Sequence, residues 1–153
     1  MTALDPPASA DRALRCDWVL ACQTALVDRL TNKISLIHVL ENVAVPGFPT
    51  VLPGFHVVAF WQHRSDVVLD AELQLELVEH GSGGATSKLA EERIEFVGRS
   101  GHRSICIVHS LTVLRPGRYA IVARWRRAGH DTWQPAAEHW LAIQTAQGAA
   151  AEA

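Results

Sequence analysis

Histidine is the residue type here with the widest range of chemistry, and the sequence contains eight of them. Three fall in predicted turns between strands, namely His63, His102 and His130. If every connection simply reverses the chain, these turns meet at one end of the fold, close to several aspartates. Imidazole and carboxylate ligands together suit zinc or a similar ion. The alternative, which the usual crossovers between sheets favour, is that these histidines are solvated and lie far apart.

Arginine forms a second candidate cluster, on one face of a strand predicted over residues 118–126. The side chains of this strand that are predicted to point inward are Tyr119, Ile121, Ala123 and Trp125. The outward set is Arg118, Arg124 and Arg126. Such a stripe could bind an anion or an acidic partner. Pairing with glutamates of neighbouring strands is the favoured alternative, because it suits a solvated sheet face. The candidate glutamates are Glu72, Glu76, Glu92 and Glu95.

A proline-rich loop over residues 46–54 contains the apolar residues Phe48, Val51 and Leu52. These side chains either cap the open end of a core or form an exposed patch for a protein partner, and capping is slightly favoured. Trp133 lies beside a predicted turn and is the best tryptophan for an interface. The three tryptophans predicted to be in the core are Trp61, Trp125 and Trp140.

Sequence motifs of common enzymes are absent. There is no G-x-S-x-G, no H-E-x-x-H and no paired-carboxylate spacing. The glycine-rich stretch over residues 81–88 lacks the G-K-[ST] order of a phosphate loop and is predicted to be a flexible hairpin loop. We therefore expect no enzymatic activity and no cofactor.

Short runs with period-two or β-branched character, separated by turn residues, are typical of an all-β fold. Eight strands are predicted, over residues 18–27, 34–45, 55–62, 71–77, 88–96, 104–113, 118–126 and 133–143. In the sixth, Ile105, Ile107, Leu111 and Val113 share one phase. Pro135 removes a hydrogen-bond donor, so the last strand should run along a sheet edge there. Eight strands with short connections predict two antiparallel sheets packed as a β-sandwich of Ig-like or C2-like size. A small β-barrel is the alternative.

The predicted domain covers residues 16–144, between tails over residues 1–15 and 145–153 that lack apolar periodicity and are predicted to be disordered. The net charge of −2 argues against nucleic acid as the main partner. No apolar run is long enough to span a bilayer and the first residues do not resemble a secretory signal, so a cytoplasmic location is expected. The three cysteines are predicted to be reduced, with at least two of them buried.

The stretch T-N-K-I-S-L-I-H-V-L-E-N-V over residues 31–43, followed by Pro46-Gly47-Phe48-Pro49, resembles an uncharacterised bacterial family of small β-sandwich domains with T-G-K-x-S-L-I-G-x-F at this place. The resemblance covers roughly residues 17–143. It implies a β-sandwich fold and gives no information about activity. Asn32 and His38 stand where that family has glycines. Asparagine tolerates a left-handed backbone, so Asn32 should preserve the turn.

Together these patterns favour a non-enzymatic interaction module, or an accessory subunit of a larger bacterial assembly, that binds a protein partner or self-associates through a strand edge. A small-ligand or metal-binding module that uses the loops at one end of the sandwich is the alternative.

Overall fold

The computed structural model describes residues 12–81 and 84–146, and the elements found within them are eleven β-strands. The strands are β1 (Leu14–Val27), β2 (Ile34–Val39), β3 (Asn42–Val45), β4 (Thr50–Leu52), β5 (Phe55–His63), β6 (Leu69–Glu79), β7 (Thr86–Phe96), β8 (Ser100–Val108), β9 (Leu111–Val113), β10 (Gly117–Arg127) and β11 (Gln134–Thr145). The predicted all-β class is therefore confirmed. These residues form no helix of the length and apolar character needed to cross a bilayer.

The strands form three sheets. Sheet A has four strands in the order β2-β1-β5-β8, and sheet B has five in the order β3-β11-β10-β6-β7. Sheet C is the small pair β4-β9. All pairs are antiparallel except β3 and β11, which run parallel. The prediction of purely antiparallel sheets is wrong at this pair, because β3 enters sheet B beside the last strand and in the same direction.

Two predicted strands each divide in two, which explains most of the difference between eight and eleven. The run over residues 34–45 breaks after Val39, so that β2 belongs to sheet A and β3 to sheet B. The run over residues 104–113 breaks after Val108, so that β8 belongs to sheet A and β9 to sheet C. The remaining strand, β4, lies in the proline-rich loop. Apolar runs that look continuous in sequence therefore cross between sheets.

One cluster of buried side chains is shared by all three sheets. It contains alternate residues of β6, namely Ala71, Leu73, Leu75 and Leu77. It also contains alternate residues of β10, namely Tyr119, Ile121, Ala123 and Trp125. Both sets match the predicted inward faces. Strand β1 and strand β5 contribute from sheet A, and Trp61 near the end of β5 is fully buried.

The domain begins and ends slightly outside the predicted bounds. Leu14 is already in β1, pairs with His63 and is 3% exposed, so the first strand begins two residues inside the predicted tail. At the other end β11 continues to Thr145. Burial of an apolar side chain and completion of a strand ladder account for these extensions. Of the tails predicted over residues 1–15 and 145–153, the parts over residues 1–11 and 147–153 lie outside the described residues.

Pro135 occupies the predicted edge position. It lies in β11 opposite Arg124, where the β10–β11 register shifts. On the other side of β11, strand β3 pairs only with residues Ala142 to Thr145. Within the described residues no strand is hydrogen-bonded to the outer side of β11 at Pro135, which fits the preference of proline for edge positions.

Candidate functional site

Two of the three histidines predicted as metal ligands have separate partners. His63 is buried, and its Nδ1 lies 2.6 Å from the carbonyl oxygen of Gly98. His102 is half-buried, and its Nε2 lies 3.1 Å from a carboxylate oxygen of Glu92. His130 is exposed in the turn between β10 and β11. Residues 12–81 and 84–146 contain no group of three or more His, Cys, Asp or Glu side chains that could hold a metal ion. The predicted metal site is not formed.

The arginine stripe follows its favoured alternative. The Nε of Arg124 donates to Glu76 at 2.9 Å, and Arg126 forms an ion pair with Glu72. Arg118 lies over the ring of Trp140, with its Cζ 5.2 Å from the ring centroid. Two of the three arginines are thus neutralised by glutamates of the neighbouring strand β6, and this face offers no free stripe for an acidic partner.

The proline-rich loop caps the core instead of exposing a patch. Leu52 is 3% exposed and belongs to the core cluster, and Phe48 packs against that cluster. Only Val51 of the predicted patch is exposed, at 59%. Trp133 is half-buried, with the guanidinium of Arg126 4.4 Å from its ring centroid. Of the predicted partner-binding residues, Leu52 therefore belongs to the core, and Phe48 is half-buried against it.

The prediction for the core tryptophans holds for Trp61 and Trp125, which are 0% and 3% exposed. It is wrong for Trp140, which is 37% exposed and lies on the outer face of sheet B. Trp140 pairs with Ala120 of β10, whose side chain points away from the core. Leu141 and Ile143 of β11 are buried in the core, so the alternation of side chains along this strand places Trp140 on the outer face despite its large apolar ring.

A partly buried polar network joins the edges of sheets A and B. The indole Nε1 of Trp61 donates to Ser104 Oγ at 3.1 Å, and Ser104 donates in turn to Glu92 Oε1, which also contacts His102. Burial opposes ionisation of Glu92, but the hydrogen bonds from His102 and Ser104 outweigh it and lower the pKa of Glu92. The Ser104 proton is committed to a carboxylate and not to an imidazole. The network therefore fixes the fold and lacks the geometry of an activated nucleophile.

The three thiols also lack the environment of a reactive cysteine. All are free, as predicted, and Cys16 and Cys22 are buried. Burial raises the pKa of Cys16 to about 12 and also raises the pKa values of Cys22 and Cys106. A thiol with a raised pKa is a poor nucleophile, because the reactive form is the thiolate.

The outer face of sheet A, which points away from the core, carries side chains that the sequence did not single out. The cross-strand registers arrange them in rows. Two rows are apolar apart from one imidazole, and we call them the apolar rows: Val39, Cys22, His56 and Ile107, then Leu20, Val58 and Ile105. A third row is Trp18, Phe60 and Arg103. Ile105 and Ile107 were predicted to share a phase with the buried residues of β9. They point outward instead, because β8 and β9 are separate strands in different sheets.

Sheet A is curled so that its outer face is concave. Trp18 and Val27 are nine residues apart in β1, which is about 30 Å along an extended strand. Nevertheless Arg103, in the same row as Trp18, donates through Nη2 to the carbonyl oxygen of Asn32 at 2.8 Å and to its Oδ1 at 2.5 Å. The β1–β2 hairpin must therefore bend back over the outer face for its tip to meet Arg103.

Two left-handed residues allow the hairpin to adopt this shape. Asn32 has a φ of 54°, which confirms the predicted turn conformation, and His38 has a φ of 53°. His38 lies opposite Gln23, where the β1–β2 ladder skips a pair, and its Nδ1 is 2.6 Å from Gln23 Oε1. Both are positions where the resembling family has glycine. A non-glycine residue at positive φ is uncommon, although Asn and His are enriched there.

The hairpin tip and the third row enclose an open cleft of about 530 Å³, which we call the hairpin cleft. Its defining residues are Trp18, Asn32, Lys33, Phe60, Gly101 and Arg103. The rings of Trp18 and Phe60 stack with centroids 5.9 Å apart and planes 17° apart. Within the described part of the chain, no carboxylate forms an ion pair with Lys33 or Arg103. Aromatic rings and unpaired cations thus meet in one concave place.

No protein-family model and no curated protein matches this chain. Similar solved structures include a β-glucosidase from Listeria innocua in complex with isofagomine, at 10% identity and a TM-score of 0.44. They also include the Pseudomonas fluorescens alkylpurine DNA glycosylase AlkC bound to DNA containing an abasic site analog, at 7% identity and a TM-score of 0.43. The matches cover 68% and 87% of this chain but only 15% and 31% of those proteins. Likenesses this weak assign neither a fold nor an activity.

Proposed function

We propose that this protein is a non-enzymatic interaction domain with a β-sandwich architecture, which serves as an accessory subunit by binding a protein partner across the apolar rows of sheet A. The observation that carries the proposal is the chemistry of these rows. Six of their seven side chains are apolar, and none is a carboxylate. Cys22 and Val58 are already buried within the chain, so the contact surface is offered by Val39, Ile105 and Ile107, which are 41%, 42% and 54% exposed. A solvated sheet face normally alternates with charged or polar residues, so an outer face of this kind is typical of a covered surface.

Three features support the sandwich architecture. Strands of sheets A and B contribute to one buried cluster. The hydroxyl of Tyr119 donates to the carbonyl oxygen of Arg115 at 2.6 Å, four residues upstream. This contact is similar to the tyrosine corner of immunoglobulin-like sandwiches. The resemblance of residues 31–43 to a β-sandwich family points the same way. The curl of sheet A is the one feature named here that would also suit the alternative fold, a small β-barrel.

The free edge of sheet A is where the partner would pair. Strand β8 is the last strand of this sheet, and within residues 12–81 and 84–146 no strand hydrogen-bonds to its other side. Its outward side chains Ile105 and Ile107 are 42% and 54% exposed. Proteins usually protect such edges with lysine, proline or a bulge. None of these interrupts the run from Ser104 to Val108. An extended segment of a partner protein could therefore add to β8 and cover both isoleucines.

A site-specific photo-crosslinker tests this proposal in the cell of origin. Placed at Ile105 or Ile107, it should capture one recurrent protein species, identified by mass spectrometry. The matched control is Val51, which is at least as exposed but lies in sheet C. It should not capture that species. Equal capture from Val51 and Ile105, or no recurrent species from either isoleucine, would contradict the proposal. If the captured species is a second copy of this chain, the partner is the protein itself.

A further inference from the structure

We propose that the hairpin cleft is a binding site for a small organic anion that joins a planar ring to a carboxylate or phosphate group. The ring would lie against Trp18 and Phe60, and the anionic group would be held by Lys33 and Arg103. This site is distinct from the apolar rows, since it uses the third row of sheet A and the tip of the β1–β2 hairpin. The protein would therefore bind a small ligand in addition to the proposed protein partner.

The cationic side of the cleft is held in place before any ligand binds. Arg103 donates to both the carbonyl and the side-chain oxygen of Asn32. Asn32 is itself fixed, because its N–H donates to the carbonyl oxygen of Asp28 at 2.8 Å. A guanidinium that is already ordered loses less conformational entropy when it binds an anion. The cleft therefore has a preorganised charge and not a freely rotating side chain.

The turn of the β1–β2 hairpin also contains the carboxylate of Asp28, which is hydrogen-bonded to backbone N–H groups of the same turn. Asp28 Oδ1 accepts from the backbone N–H of Leu30 at 2.7 Å and of Thr31 at 3.2 Å. These backbone hydrogen bonds lower the pKa of Asp28. Asp28 does not line the cleft. His102, which does line it, is paired with Glu92 on the side of the partly buried polar network. The groups that face the cleft with unpaired charge are thus positive.

The arginines elsewhere make this absence of a carboxylate informative. Arg93, Arg115, Arg124 and Arg126 each form an ion pair with an Asp or Glu side chain. Lys88 pairs with Glu91. These cations each have a carboxylate partner, and Arg118 lies over the Trp140 ring instead. Among the residues that the structure describes, Lys33 and Arg103 have neither a carboxylate partner nor a cation–π contact of this kind, and a bound anion would supply the missing charge.

The aromatic side of the cleft depends on Gly101. A Cβ built on Gly101 would lie 3.3 Å from Cζ of Phe60 and 3.6 Å from its Cε2. Glycine thus leaves the edge of the Phe60 ring uncovered next to the cation. Half-buried Trp18 and Phe60 give a stacked pair against which a planar ring can pack. The cleft volume lies in the range of small-ligand sites, which is about 300–1,000 Å³.

Aryl carboxylates and nucleotides share this chemistry, so both are used as probes. Isothermal titration calorimetry with the full chain at low ionic strength would measure indole-3-acetate and AMP. The neutral counterparts are indole-3-ethanol and adenosine. We expect at least one anion to bind with a submillimolar Kd, and its neutral counterpart to bind at least ten times more weakly. Preference for AMP would assign a phosphate ligand, and preference for indole-3-acetate a carboxylate. Binding of neither anion, or equal binding of neutral and anionic probes, would overturn the proposal.

Three variants locate the site. Arg103→Gln and Lys33→Gln should each weaken binding of the anion at least fivefold, and Gly101→Val should weaken it by filling the space beside Phe60. Arg93→Gln is the matched control, because it removes a cation from an exposed ion pair on sheet B. Thermal unfolding of each variant reports whether it is folded. If Arg103→Gln is unfolded, Lys33→Gln decides, since Lys33 is exposed. Unchanged affinity in the folded Arg103→Gln or Lys33→Gln variant would contradict the site.

Discussion

The outer faces of the two large sheets have the same alternating geometry but opposite surface chemistry. On sheet B, Arg126 forms an ion pair with Glu72 directly opposite it in β6, and Arg124 forms one with Glu76, diagonally across from it. On sheet A, the equivalent central positions are Leu20, Val58 and Ile105. Val58 is fully buried although it points away from the core cluster. The outer face of sheet B thus carries ion pairs beside apolar residues such as Val122 and Trp140, whereas the central positions of sheet A carry no charge.

The largest effect should come from placing a charge in the apolar rows. Val58→Asp would bury a carboxylate with no cation opposite it, and we expect the free energy of unfolding to fall by about 4 kcal/mol. Val58→Ala is the control and should lower it by about 2 kcal/mol through lost packing alone. Urea denaturation measures both. An Asp variant no less stable than the Ala variant would mean that water reaches this face as freely as it reaches sheet B.

The bent hairpin should depend on its left-handed residues. Asn32→Ala is expected to lower the free energy of unfolding by about 1 kcal/mol more than Asn32→Gly, because alanine is strained at positive φ and glycine is not. Both variants lose the Oδ1 acceptor of Arg103, so their difference isolates the backbone conformation. Equal stabilities in thermal denaturation would contradict a left-handed residue at the tip.

The ion pairs of sheet B should contribute less. A double-mutant cycle of Arg124→Gln and Glu76→Gln should give a coupling free energy of about 0.5–1 kcal/mol, because both side chains are only partly buried. The coupling should shrink in high salt. Chemical denaturation at two salt concentrations measures it. A coupling above about 3 kcal/mol would show that this face is drier than its exposure indicates.

The smallest effect should be the pH dependence of the network between the sheets. The pKa of Glu92 is lower in the folded chain than the ordinary value of 4.5. Its contribution to stability is therefore complete above pH 4.5 and is lost as the pH falls through the lower folded value. Glu92→Gln should flatten the dependence of stability on pH in this acidic window. An unchanged slope would assign the wild-type dependence to other carboxylates.

The fold class and the inward faces could be predicted because alternation is local. Leu73 and Leu75, or Ile121 and Ala123, need only a strand to be placed correctly. The division of sheets could not be predicted, since an apolar run that crosses between sheets keeps the same composition. Ile105 and Ile107 were placed in one strand and one phase with Leu111 and Val113 for that reason. The hairpin cleft was missed because Asn32 and Arg103 are 71 residues apart in the sequence. Only the bend of the β1–β2 hairpin over sheet A brings these two residues together.

The turn at residues 28–33 also has features that could be predicted from the sequence and features that could not. Its left-handed asparagine could be predicted from the residue type, and Lys33 could be interpreted as a surface charge flanking a turn. What no local pattern indicates is the partner across the cleft. Arg103 reaches Asn32 from a strand three positions across the sheet. A cation is a candidate ligand-binding group only once its neighbours are known, and tertiary structure supplies those neighbours.

The parallel pair of β3 and β11 has a consequence for how the chain reaches its native state. The imidazole Nε2 of His139 lies 2.7 Å from the carbonyl oxygen of Leu40, 99 residues earlier. Strand β3 has no neighbour in sheet B until β11 has been synthesised and has found its place. Such non-local pairing gives a high contact order, which slows folding to roughly milliseconds to seconds in small β domains. During translation, the segment around Asn42 must therefore wait, with its backbone unpaired, for the last strand.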